Sequence, residues 1–511
     1  MSEVVGPPVD DPGFDAALRR GTMWSALDVV VARGGQFLLG VVIARILAPH
    51  DFGVFAVALV VHTVVLSVSE LGVSAALIRD PEDTRDITAP TVATIAVATS
   101  VLLGVAMAAT SSYLAGWLGS PSAASSIAVM AINLPLLGLG AVPAALLRRD
   151  FRMDRLFVAD SSNVVATAIS VLVLALAGWG PLALAWSWVI GQLCTTVLLL
   201  TYRPGRFWPG WRSSEARRLL AFGIPLAGAN IIAYTILNVD YVIVGRILGA
   251  TLLGFYVLAF NISGWPMNVF GSIVRSVSLP SFSRLQRHGE SMSDRFADGL
   301  RLVASISFPV CFVLGALAHP LIETVYGSRW SLAASALIGL SMLGAARIII
   351  ELTGDFLITL GRTKDVFYAQ VPWLLGLIVG LVVGVRTHGI AGAGAAQAIV
   401  SIGLMVPLYF LFTVRAGVPL RSILGALFPP LAWSCVAALV AYLVSRTASN
   451  APLACLAGAS AALVVYLVAN RRLLRELDRA RRARSTQASE GAGTAAELDV
   501  VDGLEVVGDA G

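Results

Sequence analysis

Apolar runs of about 20 residues follow one another along almost the whole chain, separated by short segments that carry the charge. A run of that length, coiled as a helix rising about 1.5 Å per residue, reaches across the hydrocarbon core of a bilayer. Backbone amides in hydrocarbon have no water to bond, so only helices and closed barrels can span it. Runs this long, without the two-residue alternation of a barrel strand, select helices. The chain has 57% hydrophobic and 13% charged residues, against about 25% charged in soluble domains. It reads as an all-α integral membrane protein.

The runs lie near 22–44, 53–78, 87–110, 123–147, 156–177, 181–202, 219–245, 254–280, 300–319, 331–360, 366–385, 390–413, 423–445 and 451–470. They predict about fourteen transmembrane helices. Basic residues gather on the cytoplasmic side of such proteins, and here they alternate. With the N-terminus inside, the inner loops hold most of the 36 Lys and Arg, among them Arg148, Arg149, Arg152, Arg155, Arg284, Arg287, Arg362 and Lys364. The outer loops hold only Arg45, Arg246, Arg329, Arg386 and Arg446. A missed or extra helix would invert every later loop, so the alternation places both termini in the cytoplasm. The net charge of +5 is then a topological signal. It is no nucleic-acid footprint, because no basic patch with interleaved aromatics stands outside these loops.

Two corners of the chain are the same segment written twice. ARILAPHDFGVFAVAL at 44–59 aligns with GRILGATLLGFYVLAF at 245–260, bringing Arg45 onto Arg246, Gly53 onto Gly254 and Ala58 onto Ala259. An even number of spans separates the copies, which gives them one orientation, related by an axis along the membrane normal. The chain divides into a tail at 1–20, a six-helix lobe at 21–202, a basic linker at 203–218, a second six-helix lobe at 219–413, a further helix pair at 414–470 and a tail at 471–511. The last of these begins as a basic segment suited to the inner membrane face and ends acidic, with the composition of disorder. Met1–Phe14 lacks the basic start of a cleaved signal peptide, so the first apolar run is expected to stay as a span.

Ionisable side chains within spans are costly unless they face a partner or a polar cavity, which makes each a functional candidate. Arg33 lies about 16 Å from the inner end of the first run, near the midplane, and Arg347 is similarly central. Arg275 is about 8 Å from an inner end, within snorkelling reach. Arg347, Glu351 and Asp355 recur at every fourth position, so they share a helix face and can neutralise one another as a buried network. Asp28 and Arg33 lie about 140° apart around one helix, so Arg33 must meet another helix, such as one carrying Glu70, or water or a ligand. Asp28, His62, Glu70, Asp240, Glu351 and Asp355 are candidates for coupling transport to protons or sodium, with interhelical hydrogen bonding as the competing role. Arg45 and Arg246 break the charge rule at equivalent places. They are either paired clamps at an outer gate or the last phosphate contacts before release. Prolines inside runs, such as Pro143, Pro225, Pro266 and Pro407, mark expected bends.

No glycine-rich phosphate loop, HExxH or GxSxG signature occurs. The four cysteines, Cys194, Cys311, Cys435 and Cys455, lack metal-ligand spacing and read as small core residues. Neither a metal nor a cofactor is implied, and the chain does not read as an enzyme.

The corner pattern, Pro266, the run Leu279-Pro280-Ser281-Phe282-Ser283-Arg284-Leu285-Gln286, Tyr326-Gly327-Ser328-Arg329-Trp330 and Gly361-Arg362-Thr363 together resemble the polysaccharide-export flippases of the multidrug/oligosaccharidyl-lipid/polysaccharide superfamily. Within it, the likeness is to the exopolysaccharide and teichuronic-acid type. The resemblance covers about residues 20–470. It implies two six-helix lobes around a cavity open alternately to each side of a bacterial plasma membrane. It also implies a polyprenyl-diphosphate-linked oligosaccharide as substrate, held by cationic side chains. Carried onto this chain, those are Arg33, Arg275 and Arg347, whose guanidinium groups stay charged and grip phosphate oxygens in pairs. Membrane lipids, a polysaccharide polymerase and glycosyltransferases are the implied partners, with no nucleic acid. The alternatives are a drug or toxin exporter of the same superfamily, a membrane glycosyltransferase or polymerase, and a scaffold for cell-envelope enzymes.

Overall fold

The computed structural model describes residues 40–69, 85–202, 210–285 and 292–471, and over 267–285 the backbone path alone. Helical backbone over 40–46 turns at Leu47 and Ala48 into α1 (Pro49–Ser69). Then follow α2 (Arg85–Ala109), the short α3 (Ser111–Trp117), α4 (Ala124–Met130), α5 (Asn133–Arg149), α6 (Met153–Leu176) and α7 (Pro181–Tyr202). The second part holds α8 (Ser213–Leu285), α9 (Met292–Ala316), the short α10 (Ala318–Val325), α11 (Ala333–Thr359), α12 (Thr363–Val400), α13 (Val406–Arg415), α14 (Leu420–Ser445) and α15 (Ala451–Ala469).

Eleven of the described helical stretches are long and apolar enough to cross a membrane. Two of these contain sharp corners: α8 leaves helical geometry at Gly249 (φ 80°, ψ 175°), and α12 does so at His388 and Gly389. Each corner falls between two runs that the hydropathy separates, so α8 and α12 each have two arms. Gly249 supplies the positive φ that a side chain would resist, and the whole turn collapses onto about one residue where the sequence suggests a short loop. The first expected run, 22–44, lies outside the described residues except for its last turns.

Three of the prolines named above lie within continuous helical backbone. Within α8 the only non-helical residue is Gly249, so helical backbone continues through Pro225 and Pro266, and α5 likewise contains Pro143. Each proline leaves the carbonyl one turn before it without its helical donor, and neighbouring groups can supply one in a membrane. Pro407 opens α13 directly after a π-helical turn at Ser401–Met405.

Large apolar side chains such as Leu102, Leu176, Leu439 and Leu456 point outward, while Ala, Gly and Ser fill many contacts between helices. Lipid is as apolar as leucine, so helices associate through close packing of small residues. The α14–α15 pair follows this rule: Ala437, Ala441 and Ala462 are buried together, and Gly458 lies against the Ala441 carbonyl. Cys311 is buried, but Cys435 is exposed on α14. Its reading as a core residue is therefore wrong, because the α14 face that carries it is the outward one. The chain is a multi-pass helical membrane protein.

Candidate functional site: the repeated corners

The two copies of the repeat pack directly on each other. A Cβ at Gly53 would come within 1.6 Å of the Ala250 carbonyl oxygen, and a Cβ at Gly254 within 2.0 Å of the Pro49 oxygen. Pro49 and Ala250 occupy one repeat position, and Gly53 and Gly254 another. The contact is therefore reciprocal, as a two-fold relation between like surfaces requires. His50 and Thr251 are also equivalent, and they bond to each other through Nδ1 and Oγ1 at 3.1 Å. Glycine at these positions is explained by the close approach of two backbones.

Around this contact the two equivalent arginines reach outward in equivalent ways. Arg45 donates from Nε to the Val325 carbonyl at 2.9 Å and from Nη2 to the Thr324 carbonyl at 2.6 Å. Both acceptors stand in the last turn of α10. Arg246 donates from Nη1 to the carbonyl of Trp117, the last residue of α3, with its guanidinium 5.3 Å from the indole centroid. The last carbonyls of a helix lack intrahelical donors and carry partial negative charge, so a guanidinium suits them. Each arginine thus binds the end of a short helix belonging to the opposite part of the chain. Among the described residues the two arginines therefore bind protein carbonyls in equivalent ways.

A third tie crosses the same end. Trp330 is fully buried, donates from Nε1 to the Ala44 carbonyl at 2.7 Å, and meets Phe52 and Phe255 edge-on at centroid distances of 5.1 and 5.7 Å. Arg329 adds a longer bond to the Leu47 carbonyl at 3.4 Å. The sequence shows Trp330 in the run Tyr326–Trp330 beside Arg329, but nothing in it ties Trp330 to Ala44. Farther from the corners, arginines bind nearer neighbours instead: Arg155 caps Tyr202 at the end of α7 at 2.6 Å, and Arg362 reaches Phe412 in α13 at 3.4 Å.

A buried polar network lies deeper, about 13 Å along the first arm of α8 from its corner. The Asp240 carboxylate, 2% exposed, accepts from the Tyr256 hydroxyl at 2.9 Å, from Gln397 Nε2 at 3.1 Å and from the Tyr241 N–H at 2.9 Å. Gln397 also donates to the Tyr256 oxygen at 3.3 Å. Its own Oε1 is buried without a hydrogen bond, one turn before the π-helical Ser401–Met405. Arg347 on α11 is half-buried, holds its guanidinium 5.2 Å from the Phe260 ring, and acts through space on Asp240. Asp240 and Phe260, both on α8, are thus neighbours of its charge, while Glu351 and Asp355 follow it at four-residue intervals along α11. Tyr256 and Gln397 were not foreseen. The available signal was the repeat itself, since Tyr256 stands where the first copy has Phe55, and the added hydroxyl is the one that binds Asp240.

In the first part of the chain, His62 is 2% exposed, with its ring edge-on to Trp188 at 6.4 Å and Nδ1 without a hydrogen bond. Arg33, Asp28 and Glu70 lie outside the described residues, and Arg275 is placed on the second arm of α8 by its backbone alone. Among the described residues no cluster of His, Cys, Asp and Glu could hold a metal ion.

Comparison with known proteins places this architecture. A family model described as "Polysaccharide biosynthesis protein" matches residues 42–335. The succinoglycan biosynthesis transport protein ExoT of Rhizobium meliloti (strain 1021) is 28% identical over 492 residues, covering 92% of this chain and 97% of that protein. The lipopolysaccharide biosynthesis protein WzxC of Escherichia coli (strain K12) is 25% identical over 394 residues, covering 76% and 80%. Among solved structures, the lipid II flippase MurJ in an inward closed conformation superposes with a TM-score of 0.72 at 15% identity, covering 89% of this chain and 99% of that one. At that identity the likeness is one of fold.

Proposed function

The chain belongs to the polysaccharide biosynthesis protein family, and on that premise we propose that it carries polyprenyl-diphosphate-linked oligosaccharide repeat units across a bacterial plasma membrane by alternating access. The observation that carries the reading is the reciprocal corner contact. Two repeat-related surfaces meet at one end through glycine and backbone, the kind of bistable interface at which related halves of a transporter rock against each other.

In this reading the spans form two six-helix lobes, 21–202 and 219–413, with the pair at 414–470 beside them. Both termini are cytoplasmic, so the corners form the outer end. Arg33, Arg275 and Arg347 hold the diphosphate, where a fixed positive charge is worth most in a water-poor cavity. Asp240, with its ring of donors, is the leading candidate for coupling to protons or sodium. His62 is the counterpart in the first lobe, and Asp28, Glu70, Glu351 and Asp355 are the further carboxylates. A polymerase and glycosyltransferases supply and consume the cargo.

The test is direct. Purified protein in proteoliposomes is expected to move a lipid-linked oligosaccharide outward, and deletion is expected to leave such units facing the cytoplasm. Unchanged flux with the pure protein would refute the proposal. Comparing Arg33→Ala with Arg33→Lys separates a requirement for charge from one for the guanidinium shape. A deletion strain with altered drug susceptibility and normal surface polysaccharide would favour a drug exporter.

A further inference from the structure

The bonds at the corner end are of a special kind. Arg45 and Arg246 are equivalent in the repeat, and their acceptors sit on the ends of α10 and α3. Those short helices are themselves equivalent, each following a long helix, α9 or α2, by a single residue. Both arginines are exposed on their own helices, so neither is needed to fill a core. Each is held by main-chain carbonyls that belong to the opposite part of the chain, so neither bond survives separation of the two parts. The contact that they flank is made of backbone at its centre, where Gly53 and Gly254 meet the Ala250 and Pro49 carbonyls and His50 meets Thr251 on the line between the copies, and Trp330 packs beside it against Phe52 and Phe255. The arginine bonds are directional ties added around that packed centre, and they are the pair that the repeat relates.

We infer that Arg45 and Arg246 form a paired latch, two repeat-related locks of guanidinium on helix end that hold the corner end shut and that must both break for it to open. The inference rests on the alternating-access reading. Because both locks break in one opening step, their contributions to the closed state add, and the effects of removing them on the opening equilibrium multiply.

The experiment uses the full chain in proteoliposomes, with Cys194, Cys311, Cys435 and Cys455 replaced by Ala. His50→Cys serves as a reporter labelled by a membrane-impermeant maleimide. Arg45→Ala and Arg246→Ala are each expected to speed labelling about threefold, and the double variant about tenfold, the product of the two. Arg45→Lys, which offers one point donor in place of a fork, is expected to fall between Arg45→Ala and the parent. It is the variant scored if Arg45→Ala does not reach the membrane. A double variant that labels at the parental rate overturns the latch.

A second arm pairs His50→Cys with Thr251→Cys. Oxidation is expected to join them and stop flux, and reduction to restore it. If the cross-linked protein moves a lipid-linked oligosaccharide as fast as the reduced form, alternating access fails and the gate fails with it. If the cross-link blocks flux while the arginine variants label normally, only the latch fails.

Discussion

His50 and Thr251 occupy the same position in two copies of one segment, and they hydrogen-bond to each other at 3.1 Å. A residue can meet its own repeat equivalent only on or near the axis that relates the copies. The pair therefore locates that axis, and the neighbouring contacts of Gly53 with Ala250 and of Gly254 with Pro49 are related across it.

Replacing either glycine should open this contact. In Gly53→Ala or Gly254→Ala the new methyl meets a backbone carbonyl, which cannot rotate away, so the helices must separate. The expected cost is about 1–3 kcal/mol, read as a lower thermal midpoint of the purified protein. Gly425→Ala on α14, where nothing lies within 4 Å, should leave the midpoint unchanged or slightly higher, since alanine favours helix.

Trp330→Phe should keep the ring between Phe52 and Phe255 and lose the bond to the Ala44 carbonyl. Leaving a buried acceptor without its donor costs about 1–3 kcal/mol. Trp330→Ala should cost about 3–5 kcal/mol by adding a cavity. Denaturation of the two variants in one detergent would show the order, and equal midpoints would contradict it.

Tyr256→Phe installs the first copy's residue in the second. It removes the hydroxyl that donates to Asp240 at 2.9 Å, and the loss of a hydrogen bond to an acid in a buried site is expected to cost about 1–3 kcal/mol of stability. If Asp240 also couples transport to an ion gradient, Asp240→Asn should fold yet lose the response of flux to that gradient. Flux in Asp240→Asn that still follows the imposed gradient would exclude it as the coupling group.

Arg347→Ala should weaken substrate binding roughly ten- to a hundredfold, the loss of one charge-assisted contact to phosphate at about 1.5–3 kcal/mol. Arg347→Lys should restore part of it. The measurement is competition by a lipid diphosphate for a labelled substrate, and equal affinity in Arg347→Ala would move the diphosphate elsewhere.

Much of this architecture was legible because the bilayer makes it local. A run such as Pro181–Tyr202 is helical wherever it sits, since hydrocarbon offers its amides no other partner. The alternating arginines and the repeat at Arg45 and Arg246 are equally plain in one dimension. Gly249 was readable as a boundary between runs, though not as a corner of one residue.

What touches what was decided by the tertiary structure alone. Asp240 finds Gln397 across 157 residues, Trp330 finds Ala44 across 286, and Arg45 finds the end of α10 across 280. No hydropathy signal could announce these pairs, because lipid and protein interior are alike to an apolar side chain, and close packing of small residues chooses between them. The sequence by itself determined a repeated, many-helix membrane protein whose arginines gather in alternate loops. That its two copies meet at their own glycines, with each arginine locked onto the other side's helix end, came from packing in three dimensions.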